Sequence, residues 1–147
     1  MLSIIIWPLY AALLLPAVPQ SGTAETAARQ SLTGSWQASN GDTLELVLDE
    51  NSESIRAKQQ HDSRVLMEYT CGTDGKDCEF HEEGHKGKVS LWFNVPYLVE
   101  MRTHGAVVTK RRFLVKDGTL QVEVMPISPA GKTELVSYSR AKQAAGH

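Results

Sequence analysis

The sequence is poor in the features that mark most functional classes. Only two of its 147 residues are cysteine, too few for a disulfide-dense scaffold or for a zinc site closed by sulfur. Neither sign of charge dominates: 15 Lys and Arg stand against 17 Asp and Glu, dispersed along the chain. The basic footprint that nucleic acid or an acidic membrane face requires is therefore missing, and no nucleic-acid partner is expected. Lys110-Arg111-Arg112 is the sole basic cluster, and in a strand its members point to alternating faces. No stretch holds a helical apolar period beyond the single turn that Thr26–Ser31 can make, and there is no repeat, linker or low-complexity run. Ser35 sits in Gly34-Ser35-Trp36, which is not the strand-turn-helix elbow of an activated serine. Carboxylates are scattered over turns and outer faces. Nothing argues for an enzyme, and no cofactor is implied.

Charge is also absent from the first 24 residues, MLSIIIWPLYAALLLPAVPQSGTA. An apolar run ending in small residues reads as a secretory signal peptide over 1–24, with Ala24 the last residue removed. Left uncleaved, it would be the chain's only link to a membrane. The expected organisation is then a short lead-in at 25–31, a single β-barrel domain at 32–141 and a frayed tail at 142–147. The expected location is secreted or periplasmic.

What the chain does have is alternation. Between Lys88 and Met125, apolar and polar residues alternate in short runs broken by turn residues, the pattern of antiparallel strands. Asp117-Gly118 is a two-residue hairpin signal; it sets Phe113 opposite Val122, Val115 opposite Leu120, Arg112 opposite Glu123 and Arg111 opposite Val124. A three-residue loop at Gly105-Ala106-Val107 predicts Val99 opposite Phe113 and Glu100 opposite Arg112. A loop at Asn94-Val95-Pro96 predicts Phe93 opposite Tyr97 and Leu91 opposite Val99. One face would collect Leu91, Val99, Phe113 and Val122; the other would carry a Glu100–Arg112–Glu123 charge row. Further strands read at Thr43–Leu48, Ser54–Gln60, Val65–Cys71 and Glu134–Arg140. The fold class is all-β: an antiparallel up-and-down meander of about eight to ten strands, closed as a barrel or sandwich.

Cys71 and Cys78 flank a short turn, and in an exported chain such a pair is a structural disulfide. Facing positions beside a four-residue loop at Thr73–Lys76 bring the two side chains close. His81-Glu82-Glu83-Gly84-His85 satisfies H-E-x-x-H, the zinc-hydrolase spacing, but that chemistry needs a helix to set both imidazoles on one face. Here the motif follows a hairpin and contains Gly84, so the reading is a solvated turn. His81 and His85 remain the only metal-ligand candidates, as a surface pair brought together by a tight turn at Glu83-Gly84.

Leu32-Thr33-Gly34-Ser35-Trp36 resembles the opening of the calycin barrels, above all the Gly-x-Trp of lipocalins. There a tryptophan closes one end of the barrel and an arginine from the end of the last strand packs over it. The resemblance implies structural roles for Gly34 and Trp36, with Arg140 as the covering arginine. It does not extend to the T-D-Y motif or the helix after the barrel of lipocalins, to the helical lid of the fatty-acid-binding proteins, or to the tryptophan set of the avidins. It implies a binding protein for a small apolar or amphipathic ligand. Arg111 is the candidate anchor for a carboxylate or phosphate, unless it passes the rim and reaches solvent. Met101 shares its expected face, and Tyr138 and Arg140 share a parity in the last strand that serves either a ligand or closure. The alternative function is an interaction or inhibitor module whose barrel is filled by its own side chains. Trp92, Leu98 and Leu114 would then form an outer row for a protein partner.

Overall fold

The computed structural model describes residues 21–49, 51 and 53–141. Most of the expected leader, and the expected tail at 142–147, lie outside the described residues. Ser21–Ala24, the end of that leader, belong to a helix.

That helix, α1 (Ser21–Leu32), is followed by ten strands: β1 (Gly34–Gln37), β2 (Asp42–Asp49), β3 (Ser54–His61), β4 (Arg64–Gly72), β5 (Cys78–Glu82), β6 (His85–Asn94), β7 (Tyr97–His104), β8 (Val107–Lys116), β9 (Thr119–Ser128) and β10 (Glu134–Arg140). Each strand pairs antiparallel with the next, and β1 pairs with β10 to close the barrel. The all-β meander expected from the alternation is the observed fold, at ten strands. Closure removes the unpaired edges that would otherwise invite aggregation.

Helix α1, at 12 residues, is twice the length of the expected Thr26–Ser31 turn. Its helical period rests on Ala24, Ala28 and Leu32, too small and too few to stand out in an apolar profile. Alanine is nonetheless the strongest helix former, and Arg29 pairs with Glu25 one turn back at 3.1 Å. The helix lies over the end of the barrel that holds the β2–β3, β4–β5, β6–β7 and β8–β9 turns, and it contacts β2 and β8. Leu32 enters the core. Arg29 lies 4.6 Å over the Phe93 ring and hydrogen-bonds Thr73 Oγ1.

Tight turns fix most of the register. Asp117-Gly118 takes positive φ at both residues and gives all four expected β8–β9 pairs. Glu83-Gly84 and Asp62-Ser63 do the same for their hairpins. The β7 register differs from expectation by one residue. Gly105-Ala106 is a two-residue turn with Gly105 at φ 61°, so His104 pairs with Val107 and Glu100 with Arg111. Val95-Pro96 is likewise a two-residue connection, pairing Asn94 with Tyr97 and Leu91 with Glu100. Because side chains alternate with period two, a slip of one residue turns the whole strand over. Leu98 and Glu100 therefore point inward and Val99 and Met101 outward. The expected Glu100–Arg112–Glu123 row is reduced to Arg112 and Glu123, 2.6 Å apart. The expected Trp92–Leu98–Leu114 row loses Leu98, which is buried in the core.

The Cys71–Cys78 disulfide forms. Extending the β4–β5 register from Met67–Glu82 and Glu68–His81 sets the two cysteines opposite each other, as the sequence suggested.

Candidate functional site

The barrel interior is divided along its axis. Toward α1 it is apolar and filled: Trp36, Leu46, Ile55, Leu91, Leu98, Phe113 and Leu120 are all fully buried. Trp36 donates from Nε1 to the Leu32 carbonyl oxygen at 2.9 Å, tying the first strand to the helix end. The Arg140 guanidinium lies 4.3 Å over the Trp36 ring and donates to the carbonyl oxygens of Ser31 and Thr33 at 3.0 and 2.9 Å. A cation here meets the free carbonyls of a helix C-terminus, where the dipole favours positive charge. Gly34 makes room for it: φ is 139°, and a Cβ would fall 2.6 Å from an Arg140 nitrogen. Gly34, Trp36 and Arg140 thus form one structural unit at the closed end.

The other half is polar. Glu100, wholly inaccessible to solvent, accepts from Arg111 Nε at 2.7 Å and Arg111 Nη2 at 2.8 Å, and from the Tyr69 hydroxyl. Arg111 also donates to Gln59 Oε1 at 3.0 Å and stacks 4.9 Å over Phe113. Burial by itself raises the Glu100 pKa, but the charges of Arg111 and Arg102 and the hydrogen bonds from Arg111 and Tyr69 outweigh it and hold the carboxyl at about 2. Burial also lowers the Arg111 pKa, and the Glu100 charge more than reverses this, leaving it raised. The Tyr69 hydroxyl is pushed well up, by burial first and the Glu100 charge second. Near neutral pH Glu100 and Arg111 are therefore charged and Tyr69 is neutral.

Arg102, on the same face of β7, is the least satisfied member. Its Nε lies 2.9 Å from Glu100 Oε1 but is not aligned for a hydrogen bond, and it is buried without another partner. Its Nη1 donates to the Met67 sulfur at 2.8 Å, a weak acceptor. Burial, then repulsion from Arg111, lowers the Arg102 pKa. The side chain keeps 17% of its exposure.

The expected site residues are thus sorted. Arg111 faces inward as expected, but it neither reaches solvent nor stands free: Glu100 holds it in two-point contact. Tyr138 is buried inside; burial raises its pKa first. Arg140 belongs to the helix end. Met101 points outward, opposite Lys110. His81 and His85 do not converge: the two-residue Glu83-Gly84 turn pairs His81 with Lys86 and His85 with Glu82, so the imidazoles fall on opposite faces. His81 lies 3.3 Å from Glu79. Among the described residues no three His, Cys, Asp or Glu side chains converge on a metal position. The sequence does not single out Arg102, Gln59 or Tyr69 and sets Glu100 in the outer charge row, because their convergence depends on the β7 register.

A cavity of about 600 Å³ lies between α1 and the start of the β2–β3 turn, lined by Glu25, Arg29, Gln30, Leu48, Asp49 and Glu53. Another, of about 310 Å³, lies on the β5–β6 hairpin between Asp77, Glu79, Lys86 and Lys88. Neither lies within the barrel.

Against solved structures, the chain is similar to a Schistosoma mansoni fatty-acid-binding protein in complex with arachidonic acid. The match has a TM-score of 0.63 at 14% identity and covers 78% of this chain and 99% of that one. Echinococcus granulosus fatty-acid-binding protein 1 matches at TM-score 0.62 and 9% identity, over 77% and 99% of the two chains. Secretory abundant heat soluble protein 4 from Ramazzottius varieornatus matches at 0.62 and 10%, over 75% and 94%. The likeness is one of fold. No family model matches the sequence, and no curated protein does so either. The lipocalin resemblance of the first strand is therefore narrowed to a ten-stranded barrel shared with the fatty-acid-binding proteins.

Proposed function

We propose that the protein is a secreted or periplasmic binding protein for a small amphipathic acid. The acid is taken at the polar end of the barrel, with its anionic group on Arg102. The observation that carries this reading is the half-buried Arg102 guanidinium, whose buried Nε has no aligned hydrogen-bond partner and whose Nη1 rests on a thioether. A buried unsatisfied donor costs about 1–3 kcal/mol, more when charged, and a carboxylate arriving there recovers it with charge-assisted hydrogen bonds. Glu100 Oε1 stands 2.9 Å from Arg102 Nε as an ion-pair partner, but it already accepts from Arg111 and leaves that nitrogen without an aligned hydrogen bond. Met67, buried on the inner face, is the apolar side chain in contact with it. The fatty-acid-binding proteins that share the fold support a ligand of this class. The signal-like leader and the disulfide support export.

A second reading is a filled barrel acting through its surface, favoured by the close-packed apolar half and by the position of both described cavities outside the barrel. Native mass spectrometry of protein purified gently from its export compartment separates the two. A small acid released on denaturation supports the first reading. A bare chain that also fails to take up added fatty acid supports the second.

A further inference from the structure

The rim of the polar end carries a histidine pair that the sequence motif concealed. His85, at the start of β6, and His104, at the end of β7, have ring centroids 5.6 Å apart at an interplanar angle of 70°. Both side chains have inward parity. Extending the β6–β7 register from Lys88–Thr103 sets Gly87 opposite His104, with His85 one diagonal step away. Gly87 is required there: a Cβ would fall 2.8 Å from the Thr103 carbonyl oxygen and run into the Phe80 ring. Phe80 uses that space and packs 6.5 Å from His104, bracing the imidazole from below. His61 pairs with Asp42 and Asp62, and His81 with Glu79. Among the described residues, His85 and His104 have no hydrogen bond or ion pair at all.

We propose that His85 and His104 form a two-imidazole site for a divalent transition metal, with Zn²⁺ as the reference ion and water completing its shell. Zinc binds imidazole nitrogen at about 2.0–2.1 Å in tetrahedral geometry. Two rings on one such ion have centroids roughly 5 Å apart by that geometry, close to the spacing already present. Imidazole ligation selects zinc, copper or nickel over the hard cations. Glu82, the cross-strand partner of His85, places a carboxylate on the same face of the rim and favours a cation there. The H-E-x-x-H motif thus contributes one ligand, His85, and its partner comes from β7 rather than from His81.

The test is isothermal titration of Zn²⁺ into the untagged, disulfide-bonded chain, beside His85→Ala, His104→Ala, the double variant and His81→Ala. One ion per chain is expected. Either single variant at the rim should weaken binding by at least about tenfold, near 1.4 kcal/mol. The double variant should fall little below the singles, as for a chelate, and His81→Ala should bind as the parent does. Absence of binding, binding untouched by both rim substitutions, or an equal loss in His81→Ala would overturn the proposal. Circular dichroism of each variant keeps a folding defect distinct from a lost ligand.

Discussion

Glu100 and Arg111 face each other across β7 and β8 inside the barrel, joined by two hydrogen bonds of 2.7 and 2.8 Å. Around this pair the polar half of the interior is assembled: Tyr69 completes the carboxylate, Gln59 the guanidinium, and Arg102 pairs with the same carboxylate at 2.9 Å without an aligned hydrogen bond.

Removing one partner is the most damaging change, because it strands a buried charge. Glu100→Leu leaves two guanidiniums facing each other and should cost about 3–5 kcal/mol. Replacing both partners, Glu100→Leu with Arg111→Met, should cost less than either single change. Urea midpoints of the disulfide-intact proteins give the comparison.

Acid should weaken the fold through the same carboxyl. Its folded pKa, about 2, lies below the ordinary 4.5. The stabilisation is therefore fully present above about pH 4.5 and is lost as pH falls toward 2. The drop is worth about 3 kcal/mol by linkage. Stability against urea from pH 6 to about 2 should show this slope, and Glu100→Gln should lack it.

At the closed end, Arg140→Met keeps much of the contact area over Trp36 but removes the donors to the Ser31 and Thr33 carbonyls. Both hydrogen bonds are solvent-exposed, so the cost should be only about 1 kcal/mol. The loss should be confined to α1, seen as faster amide exchange across Ala24–Leu32 while the strands stay protected.

Cys71→Ser with Cys78→Ser should cost about 2–3 kcal/mol, the chain-entropy value for so short a loop. Mild reduction of the parent should lower its urea midpoint to match.

Where turn chemistry was unambiguous, the fold could be read in advance. Asp117-Gly118 fixed β8 against β9, and the cysteines fixed β4 against β5. The β7 register escaped for a specific reason: Arg111 and Arg112 are adjacent, so slipping β7 by one residue still sets Glu100 against an arginine. Apolar matching did not decide either, since Leu98 and Val99 are both fitted to oppose Phe113. The lengths of the Val95-Pro96 and Gly105-Ala106 connections break the tie, and with them goes the placement of Glu100 and Arg102 inside or outside. Helix α1 was obscured by alanine, which makes a helix without an apolar stripe to mark it. The structural unit of Gly34, Trp36 and Arg140 was legible because its geometry depends on residue type at the two ends of the chain, not on register in the middle.

The most direct measurement is calorimetric titration of the disulfide-bonded protein with a fatty acid, run beside Arg102→Gln. Binding of one molecule per chain, weakened by about tenfold or more in the variant, is the predicted result. Binding indifferent to Arg102 would contradict its assignment as the anchor, and no binding at all would contradict the account and leave a filled barrel that works through its surface.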